Sequence, residues 1–345
     1  MVVAGAGAFG LACAVALARR GMDVVVCDPG RVGDNASGVA AGMLAPAFET
    51  LLDPPSAEHF DLFSAARAAW PVFADSIALP LERSGAIWAG ADPGAIEAKL
   101  AAIGAGGKRL SLADAEAALP GLQVAADEAV FTPEDWRIDA AMGLLALRTA
   151  AITAGARIVS QAVTAFKPGE VELADGRRIE ADRLVVAVGA ARPDLAPELA
   201  SLTPVKGHIL RYAAGPRTGP VVRAEGIYLR PHATGVVAGA TMEVGRDDLL
   251  VDDAVVRGLA ARATALFPVL EGAPHQVSVG VRATTADGLP LVGPSQAPGV
   301  LLAIGARRNG WLLAPAVAEL VAALALGRSP GPFAAAFDPE RLRAR

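Results

Sequence analysis

Apolar residues gather first in a short run, Val2-Val3-Ala4, pause at Gly5, Gly7 and Gly10, and resume unbroken over residues 11–18 before Arg19-Arg20-Gly21. A second run, Val24-Val25-Val26-Cys27, ends on Asp28. Short apolar runs bounded by turn residues predict buried strands, and the longer run between them predicts a helix closed by Gly21. The opening unit therefore reads as strand, glycine turn, helix, strand, acid. After it, a run of small residues over 38–42 leads into Met43-Leu44-Ala45-Pro46. Small side chains in series let a backbone lie flat against a bulky ligand. A flexible linker is the alternative, but Met43 and Leu44 make the stretch apolar for one. Over residues 57–77, Phe60, Phe63, Trp70 and Phe73 recur at helical spacing and predict a helical core segment rather than a cofactor box.

Residues 81–136 change period often. They predict short strands around Gly85-Ala86-Ile87-Trp88 and small helices near 96–103 and 112–119, an inserted lobe rather than more parallel sheet. A helix is predicted over 139–154, closed by Gly155, then a strand over 157–160. Residues 162–187 read as a meander turning at Asp175-Gly176. Its last strand, 184–188, ends on Gly189-Ala190 and is expected to return to the first sheet. Residues 203–280 are mostly strand-like, with one amphipathic helix over 252–267. Near the end, a strand over 300–304 runs into Gly305-Ala306-Arg307-Arg308-Asn309-Gly310, and a helix follows over 311–326. This closing unit repeats the logic of the opening one.

At 345 residues the chain is long enough for two domains. Its 53% apolar and 19% charged residues describe a globular protein, and a net charge of −5 leaves no broad basic footprint for nucleic acid. Residues 1–18 imitate a signal peptide but lack a basic start and carry three glycines at motif spacing. No apolar stretch elsewhere predicts a membrane span. Cys13 and Cys27 fall on the first helix and second strand, as buried thiols suited to a reducing cytoplasm. His59, His208, His232 and His275 are scattered, so no metal site is expected. The first strand begins almost at Met1, which suggests that a few residues precede it.

The glycine turn carries the first chemistry. Gly5 permits a tight turn, Gly7 lets the backbone approach a pyrophosphate, and Gly10 lets the helix pack on the strand. Amides at the helix start face the phosphates, where the helix dipole favours negative charge. Asp28, eighteen residues after Gly10, is placed to accept hydrogen bonds from a ribose. An ordinary glycine turn is the alternative in a chain with 37 glycines. This unit implies an adenine dinucleotide without saying which. In the closing unit, a helix start preceded by Arg307 and Arg308 suits the negative end of a reduced flavin, or else is a structural helix with solvated arginines.

The glycine motif with Asp28, the Ala41-Gly42-Met43-Leu44 segment, the strand ending at Gly189, the stretch from Arg282 through Asp287-Gly288 to Gly293, and Arg308-Asn309-Gly310-Trp311-Leu312-Leu313-Ala314-Pro315 together resemble the FAD-dependent D-amino-acid oxidase superfamily. Within it they are most similar to the glycine oxidases associated with thiamine thiazole synthesis. The match covers nearly the whole chain and is loose over 81–134. It implies an α/β fold: a discontinuous Rossmann-type FAD-binding domain (1–80, 136–204 and 281–345) and a substrate domain (81–135 and 205–280) on a mostly antiparallel sheet with helices. By this similarity Ala8, Phe9, Asp28 and Pro29 hold the pyrophosphate and ribose, and Val163 touches the adenine by its backbone. Ser37, Ala41, Gly42 and Met43 line the flavin, and Ala306, Arg307, Arg308, Asn309, Gly310, Trp311 and Leu312 wrap its ring end. Arg282 matches the carboxylate-binding arginine, Arg308 a second substrate-contacting arginine, and Tyr228 a tyrosine that reaches the carboxylate.

The sequence departs from the family where a histidine two residues before the tyrosine is replaced by Gly226. No cysteine lies near Arg282, so the FAD is expected to be non-covalent. The implied reaction is oxidation of glycine, sarcosine or a small D-amino acid to the imino acid, with O2 as acceptor giving H2O2. Met43 and Met242 would limit the substrate side chain, or else serve as core filler. The expected partners are a small amino acid and O2, with no nucleic acid or membrane, and a homo-oligomer is left open. Competing readings are a D-amino-acid dehydrogenase that passes electrons to a quinone, an NAD-linked dehydrogenase, and a non-catalytic FAD-binding subunit.

Overall fold

The computed structural model describes residues 1–342; the last three residues of the expected 281–345 segment lie outside them. Two large sheets carry the molecule. The first runs Leu291–Pro294, Val300–Ile304, Leu184–Val186, Val2–Ala4, Val25–Cys27, Arg157–Val159. All its neighbours are parallel except the first pair. The strand order reverses at Val2–Ala4, so the crevice beyond its end, where Gly5 turns, is the ligand position of such sheets.

Alternation along these short strands decides what each face packs on. Val3, Val26, Val185 and Leu301 face the helices Ala8–Ala18, Ala140–Thr153 and Gly310–Ala325. Val2, Ala4, Val25, Leu184 and Leu302 face the three-stranded meander Val163–Lys167, Gly169–Leu173, Arg178–Ala181. The helix Ala8–Ala18 is apolar all round because it is buried all round, between the sheet and two other helices.

The second sheet has nine strands. In order it runs Glu243–Val244, Thr203–Tyr212, Gly235–Gly239, Ile227–His232, Val221–Ala224, Ala86–Trp88, Glu128–Thr132, Lys108–Ser111, with His275–Thr284 also pairing Thr203–Tyr212. All pairs are antiparallel except Ala86–Trp88 with Val221–Ala224. The residues expected as an inserted lobe thus extend this same sheet. Thr203–Tyr212 and His275–Thr284 pair along their whole lengths, and a strand pair is one packing unit. We therefore propose residues 203 and 284 as the limits of the second unit, in place of 205 and 280.

The helical segment expected over 57–77 is two helices, Phe60–Ala68 and Trp70–Ser76. Pro71 has no amide hydrogen and its ring clashes with the carbonyl four residues back, so the helix restarts there. Phe63 and Trp70 are still fully buried. Among the described residues no helix is long and apolar enough to cross a membrane, and no group of His, Cys, Asp and Glu is placed to hold a metal.

Candidate active site

At the first turn the glycines answer steric demands. Gly5 has φ +107°, and a Cβ there would lie 2.3 Å from the Ala187 carbonyl oxygen. A Cβ on Gly10 would lie 1.9 Å from the Gly5 carbonyl oxygen. Gly7 caps the helix without a side chain, and its Cβ position meets Ser37 Oγ alone, at 3.1 Å. Ser37 Oγ accepts from the Ala8 amide at 3.0 Å. Asp28 closes the turn from the neighbouring strand, its two oxygens accepting from the amides of Ala6 (2.6 Å) and Gly30 (2.7 Å). A carboxylate has further lone pairs for a ribose. Ala8 and Phe9 turn their side chains into the core, so the helix end presents backbone, with the Ala8 amide held by Ser37, while Pro29 is exposed. This cradle fits a dinucleotide pyrophosphate.

Val163 opens the meander and is buried beside Cys27 and Ala4. Gly189, at φ +64°, follows the strand Leu184–Val186 and faces open space. Cys13 and Cys27 are core thiols that burial pushes up to about 12 and about 11, and neither reaches the cavity described next.

Between the two sheets lies an open cavity. One wall is the segment before Leu44. There Ala41 is buried, and Gly42, at φ +72°, packs so closely that a Cβ would lie 2.3 Å from the Ile138 carbonyl oxygen. Met43 pairs with Arg137 in a two-stranded ribbon and lines the cavity. The closing turn supplies the facing wall. Arg308, Asn309 and Trp311 line it, and Trp311 Nε1 donates to the Ser37 carbonyl at 3.0 Å, joining the two ends of the chain. Asn309 is buried and its Nδ2 has no partner. An orphaned donor on a cavity wall beside a helix start, Gly310–Ala325, fits a flavin carbonyl. Leu312 is core, its carbonyl accepting from Trp70 Nε1. Arg307 turns away from the cavity, in a left-handed conformation at φ +49°, and pairs with Asp53 through two bonds of 2.9 and 2.6 Å. Ala306 bridges to Thr284 beside it.

The third wall comes from the nine-stranded sheet. Arg282 sits on His275–Thr284, and its Nη1 donates to the Thr241 carbonyl (3.3 Å) and to Met242 Sδ (3.1 Å). The guanidinium lies over Gly207, where a Cβ would be 2.7 Å from Nη2. Among the described residues no carboxylate is within ion-pair distance of it. Tyr228, on Ile227–His232, is buried opposite Gly239, where a Cβ would be 2.4 Å from the hydroxyl. Burial pushes the phenol up, outweighing Arg282, Arg308 and Arg223, so it is a hydroxyl donor at neutral pH. Met43, Met242, Tyr228, Arg282 and Arg308 thus share one cavity. Gly226 does not reach it. It is an exposed hairpin residue beside Arg262.

Sequence reasoning missed Glu49, which also lines this cavity. Burial would raise its carboxyl, but Arg308 and Arg223 outweigh burial and hold it below the ordinary range. Its Oε1 accepts from Arg223 Nη2 at 2.7 Å and Arg308 Nη2 at 3.1 Å. Its Oε2 is in ionic contact with Arg308 Nε at 2.7 Å without an aligned hydrogen bond. The available signal was a lone acid in the apolar helix Pro46–Leu52. Gly207 was also missed, being one glycine among many until Arg282 is laid on it.

The chain matches the FAD dependent oxidoreductase (DAO) family over residues 1–324. It is 31% identical to the glycine oxidase of Pseudomonas putida over 362 aligned positions, covering 99% of this chain and 98% of that one. It is 30% identical to the tRNA 5-methylaminomethyl-2-thiouridine biosynthesis bifunctional protein of a Caulobacter species, over 100% of this chain and 58% of that relative. The solved glycine oxidase of Geobacillus kaustophilus has the same fold at a TM-score of 0.87 and 28% identity, covering 98% of this chain and 97% of that one.

Proposed function

Since the chain belongs to the FAD dependent oxidoreductase family and is a flavoenzyme with FAD as its cofactor, we propose that it oxidises glycine or another small amino acid, sarcosine or a small D-amino acid. The acceptor in this reading is O2. The amine, O2 and water give the oxo acid, ammonia or an amine, and H2O2, through an imine that water hydrolyses. The observation that carries it is Arg282, a guanidinium on the cavity wall without a carboxylate partner, beside the protonated hydroxyl of Tyr228. A planar guanidinium pairs with a carboxylate through two parallel hydrogen bonds, which a lysine cannot reproduce.

In this reading Arg282 and Tyr228 clasp the substrate carboxylate, and Gly207 leaves the guanidinium its room. Met43 and Met242 bound the space around Cα, so small side chains fit. FAD, when bound, supplies the two-electron acceptor. The chain's part is to bind and orient the amine and to keep water out. The Gly7–Ala8 helix start and Asp28 would hold the pyrophosphate and ribose, Val163 and Gly189 would flank the adenosine, and Asn309 would meet the ring. The imino product would feed thiamine thiazole synthesis, the role implied by the resemblance to glycine oxidases.

The test is anaerobic titration of purified protein with glycine, sarcosine and D-proline, following the flavin's visible band, and then O2 uptake in air. Bleaching with glycine or sarcosine followed by H2O2 formation is expected. Bleaching without O2 uptake would turn the reading to a dehydrogenase, and no bleaching with any amino acid would end it. Arg282→Ala is expected to keep its flavin and lose about 100-fold in kcat/KM, roughly the cost of an unpaired buried carboxylate.

A further inference from the structure

Arg282, Arg308 and Glu49 line the cavity, and Arg223 and Asp135 are buried behind Glu49. Arg308 and Arg223 both bind Glu49, and Arg223 also acts on the buried Asp135, whose oxygens hold the amides of Ala47 (2.8 Å) and Phe48 (3.2 Å). Asp135 thereby fixes the start of the helix Pro46–Leu52 that carries Glu49 into the cavity. The two acids face Arg223 and Arg308, and Arg282 is a cavity-lining guanidinium with no ion pair among the described residues. Glu49 is 4% exposed and Arg308 21% exposed in their side chains, so their interaction is weakly screened by solvent.

We propose that Glu49 sets the charge of the substrate: by holding Arg308 it leaves one guanidinium for one carboxylate and rejects amines that carry a second acidic group. A second carboxylate reaching Arg308 would have to displace Glu49 or lie against it. Displacement leaves Glu49 with Arg223 alone and costs it its Arg308 contact, and lying against Glu49 sets two weakly solvated anions side by side. Specificity of this kind comes from a repulsive group, not from a tighter fit. Removing the charge at position 49 frees Arg308 and withdraws the repulsion together. This inference rests on the amino-acid-oxidising reading above.

Sarcosine and iminodiacetate form the discriminating pair, because the second is the first with a carboxylate added to its N-methyl carbon. The wild-type protein is expected to favour sarcosine in kcat/KM by at least about 30-fold. Glu49→Gln keeps an acceptor for Arg223 and is expected to move that ratio toward iminodiacetate by at least tenfold, while Glu49→Asp keeps the wild-type ratio. Binding gives a readout free of turnover: by calorimetry on the FAD-loaded protein, Glu49→Gln gains at least tenfold for malonate relative to acetate. An unchanged ratio in both measurements overturns the proposal. If Glu49→Gln does not hold FAD, Glu49→Ala takes its place, with the same gain expected for malonate relative to acetate, and an unchanged ratio there overturns the proposal. No oxidation of glycine, sarcosine or D-proline by the wild type would sink the parent reading instead, and the calorimetric arm still decides the role of Glu49.

Discussion

The chain contains two strand–glycine–helix units, one at each end, and they are held by different forces. In the first, Val2–Ala4 into Ala8–Ala18, the turn is set by contact: Gly5 and Gly10 sit where any Cβ would strike backbone. In the second, Val300–Ile304 into Gly310–Ala325, a Cβ on Gly305 would crowd only side-chain atoms, Thr285 at 2.8 Å and Leu202 at 3.3 Å, and one on Gly310 would meet nothing nearer than 3.5 Å. Its shape depends instead on Arg307 and Arg308, tied to Asp53 and Glu49. Contact makes the first turn a rigid phosphate cradle. Charge makes the second adjustable by substitution and by pH, and that is the end where the proposed substrate chemistry would take place.

Gly10→Val should break the first unit most severely, since its Cβ would begin 1.9 Å from a backbone oxygen that cannot move aside. A loss of more than about 3 kcal/mol is expected, with protein purified colourless; yellow protein of normal thermal stability would refute the steric account. Next is the pH response of the second unit through Asp135. Burial, against the pull of Arg223 and two amides, raises its carboxyl from 3.8 to about 6. Folding therefore favours the protonated form: that contribution is complete below about pH 4 and is lost as pH climbs through 6. Relative to Asp135→Asn, the wild type should lose about 2 kcal/mol of unfolding free energy between pH 4 and 7. Parallel urea curves for the two proteins across that range would contradict this.

Asp53→Asn should cost about 2 kcal/mol, because it removes the charge from a mostly buried double hydrogen bond to Arg307. Added salt should leave most of that difference in place, where a surface pair would lose it. The smallest effect belongs to Gly21→Ala in the first unit. Gly21 has φ +81° but nothing within 4 Å, so only backbone strain of about 1 kcal/mol is expected. Thermal melts of Gly21→Ala and Gly10→Val side by side would measure how much of the first unit's rigidity is contact and how much is conformation.

Most of the first unit could be read directly from the chain. Val2-Val3-Ala4, the glycines, the apolar helix and Asp28 are neighbours, and steric exclusion at a turn or the burial of an apolar run acts between neighbours. The same holds for the strand Val300–Ile304 and for the helices that follow Asp139 and Asp252, each capped by its own acid. The helical segment expected over 57–77 breaks at Pro71, a local signal that apolar spacing does not register. What no local pattern carried was the partner of each charge. Arg307 and Asp53 are 254 positions apart, and Arg308 and Glu49 are 259. Arg282 lies free over Gly207 only because two antiparallel strands set Gly280 opposite Gly207. Coulomb attraction depends on distance in space and not along the chain, so which arginine stays open to a substrate was decided when the two ends came together.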